Sequence, residues 1–360
     1  MTENNRHVMP KFEPSKGLEF GIYTLGDHLP NPHTGKRISA EQRLKEIVEM
    51  AQLAEQAGID VFQVGESHQD YFVTQSHLIV LAMVAQATNQ IKITSGATII
   101  STSDPVRVFE DAATIDLLSN GRMEIIAGRA SRVGLFELLG YNLADYEQLF
   151  EEKFELLLKI NENEVVDWAG EFRKPLKHAH VLPRPNNAAQ GLPIWRAVGG
   201  SLDSAQKAGR LGVPMYQAHL GGPASVFKER IDLYRTTAQS SGHQADQLPV
   251  ATGGFFYAHE DMMEAYRAYY PHINEGMKKT NGSGFPKQAF AQGQDYRSVI
   301  NVGDPQLIVE KLLYQHELFG NQRYVGQLDF GGVSMDEIKR NITLIGERIL
   351  PEIRKHTMKK

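Results

Sequence analysis

The sequence predicts an α/β protein: a single (β/α)8 barrel of the TIM type, with insertions. Three observations carry this. Eight short apolar runs alternate with longer amphipathic stretches from Leu18 onward, the count of strands and helices that closes such a barrel. The first strand-to-helix connection, "LGDHLPNPHTGKR", lacks the G-x-G-x-x-G pattern that a doubly wound dinucleotide-binding sheet would place there. The 360 residues are 41% apolar and 22% charged, ordinary globular values that supply one large core.

The elements follow in order. "LEFGIYTL" (18–25) is the first strand, and residues 39–58 form a helix. Ser39 and Gln42 have the spacing of a capping box there, and Gly58 is a natural stop. "DVFQVG" (60–65) is strand two, "SHLIVLAMVAQAT" a helix and "IKITSGA" (91–97) strand three. "DPVRVFEDAATIDLLSNG" is a helix with Asp104 as N-cap, Pro105 in the first turn and Gly121 at its end. "RMEIIAG" (122–128) is strand four. "DYEQLFEEKFELLLKI" is a long helix, with apolar residues three and four apart.

Residues 161–192 break the rhythm and read as a surface excursion with a hairpin. "IWRAV", "VPMYQAH", "PVATGGFFYA" and "RYVGQLDF" are strands five to eight, with amphipathic stretches after each. Residues 276–300, rich in Gly and Gln, read as a mobile insertion after strand seven. Residues 1–17 are expected to be a flexible N-terminal tail and 351–360 a C-terminal one.

Composition excludes several function classes. A net charge of −5 argues against nucleic acid as a partner. The absence of cysteine removes disulfides, thiolate metal sites and a Cys nucleophile. There is no apolar leader at the start and no run of about 18 apolar residues, so no membrane association is expected and a cytoplasmic location is.

In a barrel, chemistry collects where strands end and loops begin. Glu66, Ser67 and His68 follow strand two, and Ser95, Gly96 and Ala97 end strand three. Arg129 and Ser131 follow strand four; Gly199, Gly200 and Ser201 follow strand five; His219 ends strand six, before Gly221 and Gly222. In "AVGGSLDSAQKAG" two glycines let backbone approach a ligand closely. Ser201 can cap the next helix, and Ser204 sits in its first turn. A helix N-terminus with free N–H groups suits an anion, so this turn is a phosphate candidate, with Arg129 as a source of charge. The bland alternative is a simple N-cap and a tight turn. "KHAH" places His178 and His180 at a ligand-like spacing, but in the excursion and without carboxylate partners, so no metal site is assigned. Tyr23, Phe72 and Phe255 are candidate pocket-lining aromatics.

The residues resemble the bacterial luciferase-like flavin-dependent monooxygenase family over about Leu18 to Leu350. The likeness is strongest in "GIDVFQVGESHQDYF", "IKITSGATIISTSDPVRVFEDAATIDLLSNGRMEIIAGRAS" and "AVGGSLDSAQKAGRLGVPMYQAH". The resemblance implies FMN at the barrel mouth and a reaction of reduced flavin with O2 that oxygenates a small organic substrate. It implies Glu66 and His68 as catalytic residues beside the ring and a cis peptide at Gly96–Ala97. It further implies phosphate or flavin contacts from Arg129, Gly200, Ser201, Ser204, Gly221 and Gly222. Electrons would come from NAD(P)H or from a separate flavin reductase, and the chain would be a homodimer. Where the family often carries Glu-His-His, this chain has Ser67 in the middle, which points away from light emission with an aldehyde. Two alternatives stay open: a deazaflavin- or FMN-dependent oxidoreductase without oxygen insertion, and a non-catalytic flavin-binding protein.

Overall fold

A computed structural model describes residues 7–129 and 134–359. Its elements in chain order are β1 (Glu19–Thr24), α1 (Ala40–Gln56), β2 (Val61–Val64), α2 (His77–Ala87), β3 (Lys92–Ile99), α3 (Pro105–Leu118), β4 (Met123–Gly128), α4 (Leu135–Leu138) and α5 (Tyr146–Glu162). A hairpin of β5 (Val165–Trp168) and β6 (Leu176–His180) follows. Then come β7 (Ile194–Val198), α6 (Leu202–Leu211), β8 (Met215–Ala218), α7 (Ser225–Ser240), β9 (Val250–Ala258), α8 (Met262–Asn281) and α9 (Lys287–Gln292). The chain closes with β10 (Asn301–Gly303), α10 (Pro305–Phe319), β11 (Arg323–Gln327), α11 (Met335–Leu344) and α12 (Leu350–Thr357).

Eight strands pair in parallel in the ring β1-β2-β3-β4-β7-β8-β9-β11, which β11 closes on β1. This is the predicted (β/α)8 barrel. β5 and β6 form the antiparallel hairpin expected in the excursion, and the short β10 extends the outer end of β9. The main core lies between strands and helices, built from residues such as Phe20, Phe62, Phe109, Ile125, Phe150 and Tyr324. A smaller cluster fills the barrel itself: Ile126, Trp195, Tyr216, Ala251 and Val325, with Phe12, Tyr23, Ala97 and Ala197 against it.

Charge closes the bottom of the barrel. Arg323 of β11, only 1% exposed, donates from Nε to Glu19 of β1 (2.9 Å) and from both terminal nitrogens to Glu124 of β4 (2.6 and 3.0 Å). β4 is not a neighbour of β11 or β1, so these side chains meet across the interior. Trp195 Nε1 also donates to Glu124 (2.8 Å), and Phe12 lies edge-on to Trp195 beneath it. Burial opposes charge on both partners. Even so, Arg323 holds the Glu124 carboxyl below its ordinary range, and Glu124 and Glu19 hold the guanidinium above its own.

Three expectations change. The box predicted at Ser39 is half formed: its Oγ accepts from Gln42 N (3.1 Å), but the Gln42 side chain turns to Glu46 (3.2 Å). The complete box is at α11, between Ser334 and Glu337. Residues 276–300, expected to be a mobile insertion, carry helix and packed side chains. α8 continues through Pro271 to Asn281, and α9 buries Phe290 against Tyr266 and Tyr270. The buried ammonium of Lys311, on α10, donates to the carbonyls of Gly293, Asp295 and Ile300, which the polar composition concealed. The boundaries at 18 and 350 also cut packed structure. Phe12 underlies the barrel, and Thr357 of α12 accepts from Leu18 N at 2.8 Å.

Removing one partner of a buried ion pair leaves the other uncompensated. Glu124→Gln is therefore expected to lower unfolding stability by about 3 kcal/mol in urea titrations. The double variant with Arg323→Met should lose less than the two single losses added together.

Candidate active site

The barrel's C-terminal mouth opens into a cleft of about 460 Å³. Its floor and one wall come from the ends of β1, β2 and β3. Tyr23, Leu25, Gln63, Glu66, Gly96, Ala97 and Ile99 line it there. Gly96–Ala97 is a cis peptide, as the resemblance implied. A Cβ on Gly96 would collide with the Gln63 side chain, whose Nε2 donates to Gly96 O (3.2 Å), so only glycine fits at this crossing. The Gln63 Oε1 is buried and has no partner.

Glu66 is the hub of this wall. Its backbone N–H donates to Ala97 O (3.0 Å), which ties the end of β2 to β3. Its Oε2 accepts from Ile99 N (2.7 Å), and its Oε1 lies 2.8 Å from His68 Nε2. Behind it, His77 Nδ1 is 3.9 Å from the same carboxylate, while His77 Nε2 bonds the Thr98 hydroxyl at 2.7 Å. His68 itself is not part of the cleft lining; it stands behind Glu66.

The opposite end of the cleft is polar. Gly199, Gly200, Ser201 and Ser204 line it at the start of α6, with Arg129 from the end of β4. Ser201 caps α6, its Oγ accepting from Ser204 N (3.3 Å), which leaves the hydroxyl proton free to point elsewhere. A Cβ added to Gly199 or Gly200 would meet nothing within 4 Å, so the space beside this turn is open. Arg129 lies over the rings of Tyr146 (5.8 Å) and Phe150 (5.0 Å) and pairs with Glu147. Below the turn, fully buried Arg196 is held by both oxygens of Glu151 (2.9 and 2.6 Å).

The structure thus brings Glu66, Gly96, Ala97, Arg129, Gly200, Ser201 and Ser204 to one cleft. It does not bring Gly221 and Gly222 there. Those residues face the segment before β10, where Gly222 O accepts from Val299 N (3.0 Å) and Phe285 lies against Gly221. His219 also misses the mouth. Along β8, Tyr216 and Ala218 point into the cleft, so Gln217 and His219 alternate outward. His219 is buried against Phe227 and Tyr324, both of its ring nitrogens unpaired. Of the three aromatics, Tyr23 lines the cleft, whereas Phe72 packs on Tyr71 and Phe255 on Phe330. Ser131 lies outside the described residues. Sequence reading missed Gln63, His77 and Glu147. Gln63 and His77 were legible only as polar residues in otherwise apolar runs. Among the described residues no group of three or more His, Asp or Glu could hold a metal ion.

Comparison with known proteins places this geometry. The family model described as luciferase-like monooxygenase matches residues 18–322. An uncharacterised protein, y4vJ, of Sinorhizobium fredii is 22% identical, over 94% of this chain and 98% of its own length. The N-acetyl-S-alkylcysteine monooxygenase of Bacillus subtilis is 28% identical over 54% of this chain, a match that spans 57% of that protein. Among solved structures, the monooxygenase RslO1 of Streptomyces bottropensis superposes with a TM-score of 0.79 at 22% identity, covering 93% of this chain and 99% of that one. The oxygenating constituent of 3,6-diketocamphane monooxygenase from Pseudomonas putida, solved in complex with FMN, gives 0.74 at 16% identity, covering 93% and 98%. The coenzyme F420-dependent tetrahydromethanopterin reductase of Methanopyrus kandleri gives 0.71 at 17%, covering 94% and 99%.

His77 gives the site a pH signature. Burial pushes its imidazole from 6.5 down to about 4, although the nearby Glu66 carboxylate works the other way. Between those values the unfolded chain holds a proton that the folded chain lacks, so stability falls as pH drops from 6.5 to 4. The shift corresponds to a loss of at most about 3 kcal/mol. His77→Gln keeps a partner for Thr98 but does not titrate. Urea unfolding at a series of pH values should show a flatter acid limb for the variant; parallel limbs would refute the assignment.

Proposed function

Because this chain belongs to the luciferase-like monooxygenase family, and so is an enzyme, we propose that it is an FMN-dependent monooxygenase. It would use reduced flavin and O2 to oxygenate a small organic substrate. The observation that carries the reading is the two-ended cleft, with a carboxylate and small residues at one end and an arginine, paired glycines and two serines at the other.

The residues suit a flat ring with a phosphate-bearing tail. Arg129, the Ser201 and Ser204 hydroxyls and the open space at Gly199 and Gly200 make an anion end, reinforced by the N-terminus of α6. At the other end the unpaired Gln63 Oε1 can accept from a polar ring edge. The volume lies within the range of about 300–1,000 Å³ typical of cofactor sites. FMN, when bound and reduced, would supply the electrons for oxygen chemistry, and the protein supplies position and exclusion of water.

The chain's own part in the reaction is proton handling at Glu66. Its Oε2 is fixed by the Ile99 N–H and its Oε1 meets His68, while the residue lines the cleft. His68 can pass a proton through this contact. On this reading His68 acts through Glu66 rather than on the substrate directly.

The tests separate binding from chemistry. Ser201→Ala and Arg129→Ala should each weaken FMN in fluorescence titrations, because each removes a phosphate contact worth about 1.5–3 kcal/mol. Unchanged affinity in both would end the phosphate assignment. Glu66→Gln should leave FMN affinity intact and lower turnover about a hundredfold, measured as oxygen uptake with NAD(P)H and a flavin reductase supplied. Binding of a deazaflavin in preference to FMN would move the reading to hydride transfer without O2. Apolar Ile79 and Met83 on α2, with Leu117 and Leu118 on α3, lie exposed and fit a homodimer, which sedimentation would register as twice the chain mass.

A further inference from the structure

We infer that Glu147 is an internal competitor for the flavin phosphate: a carboxylate that occupies Arg129 until a phosphate displaces it, and so moderates the site's affinity for the phosphorylated cofactor. The inference rests on the FMN reading and deepens it. Arg129 is the sole cation lining the cleft among the described residues, and its guanidinium is 12% exposed. Its ion-pair partner there is Glu147, in the first turn of α5, which lines the same cleft and is 51% exposed. The carboxylate therefore stands on the positive charge that a phosphate would use, with solvent to retreat into.

The arginine has contacts besides this partner. Its guanidinium carbon lies 5.0 Å from the Phe150 ring centroid and 5.8 Å from that of Tyr146, so two rings also help to orient it. Glu151, the neighbouring carboxylate on α5, is taken up by Arg196 and Lys207 and is not available to Arg129. Glu147 thus contributes charge to Arg129 more than it contributes position. A phosphate monoester carries close to two negative charges at neutral pH and three acceptor oxygens, so it displaces a single carboxylate from a guanidinium. A flavin without phosphate has no group to make that exchange.

The experiment compares FMN and riboflavin on wild type, Glu147→Gln and Arg129→Ala. Affinities are read by flavin fluorescence at fixed ionic strength, and thermal melting confirms the fold of each variant. Glu147→Gln is expected to bind FMN about three- to tenfold more tightly, the scale of one partly exposed ion pair, with riboflavin unchanged. Arg129→Ala combined with Glu147→Gln should show no gain over Arg129→Ala alone. FMN affinity that is unchanged or weaker in Glu147→Gln overturns the inference, because the carboxylate would then be idle or needed for position. An equal gain for both flavins overturns it too, because the effect would not be on the phosphate. If wild type binds neither flavin, the FMN reading itself fails and takes the inference with it. That outcome is distinct from wild-type binding that the substitution leaves untouched.

Discussion

The contact on which the barrel depends is the buried meeting of Arg323 with Glu19 and Glu124. Side chains alternate along a strand, so a slip of one residue in β1, β4 or β11 would turn one of these charges outward and leave its partner alone in the interior. Buried ion pairs are weak sources of net stability, but an uncompensated buried charge costs several kcal/mol. The network therefore acts against wrong registers more than for the right one. It fixes the three strands from which Tyr23, Gln327 and the Arg129 end of β4 rise toward the mouth, and it fills the opposite end.

With the bottom filled by charge and the middle by Trp195, Ile126, Tyr216 and Val325, the open space lies at the top. Small residues decide where it lies. Gly96 yields to Gln63 and Gly253 to the Tyr216 hydroxyl, since a Cβ at either would overlap those side chains. Gly199 and Gly200 face empty space instead. The same residue type thus packs the floor in one place and clears the rim in another. The cleft runs between the two, with Glu66 and small residues at one end and Arg129, paired glycines and two serines at the other.

The repeating pattern made the fold legible. Eight apolar runs, with caps at Asp104 and Ser201 and stops at Gly58 and Gly121, are local signals, and the strands they delimit fall within a few residues of those observed. Local signals also misled. Residues 276–300 are polar and glycine-rich, yet Phe290 and a lysine on a different helix anchor them, and neither contact has a signature in the segment itself. Strand ends mark the rim in the sequence, but alternation along each strand decides which side chains reach it. His219 and the Gly221–Gly222 pair, expected at the mouth, miss it, while Tyr216 and Ala218 occupy the inward positions of β8. Gln63 and Glu147 were missed for a common reason: their importance comes from what lies across the cleft, not from their neighbours in sequence.

The opening of α2 shows why a polar triplet after a strand is more than a turn. Glu66 would be an awkward neighbour for a reduced, anionic ring if it stood alone, since like charges at close range repel. It does not stand alone. The Ile99 N–H, the His68 ring and, at longer range, the His77 ring converge on one carboxylate, and Thr98 fixes His77 from behind. Burial keeps His77 neutral at ordinary pH, and the half-buried His68 is the imidazole that meets the carboxylate directly. The arrangement therefore places an imidazole one residue behind the cleft lining rather than in it. With Ser67 in the middle of the triplet, the chain still keeps an imidazole in contact with a carboxylate of its cleft.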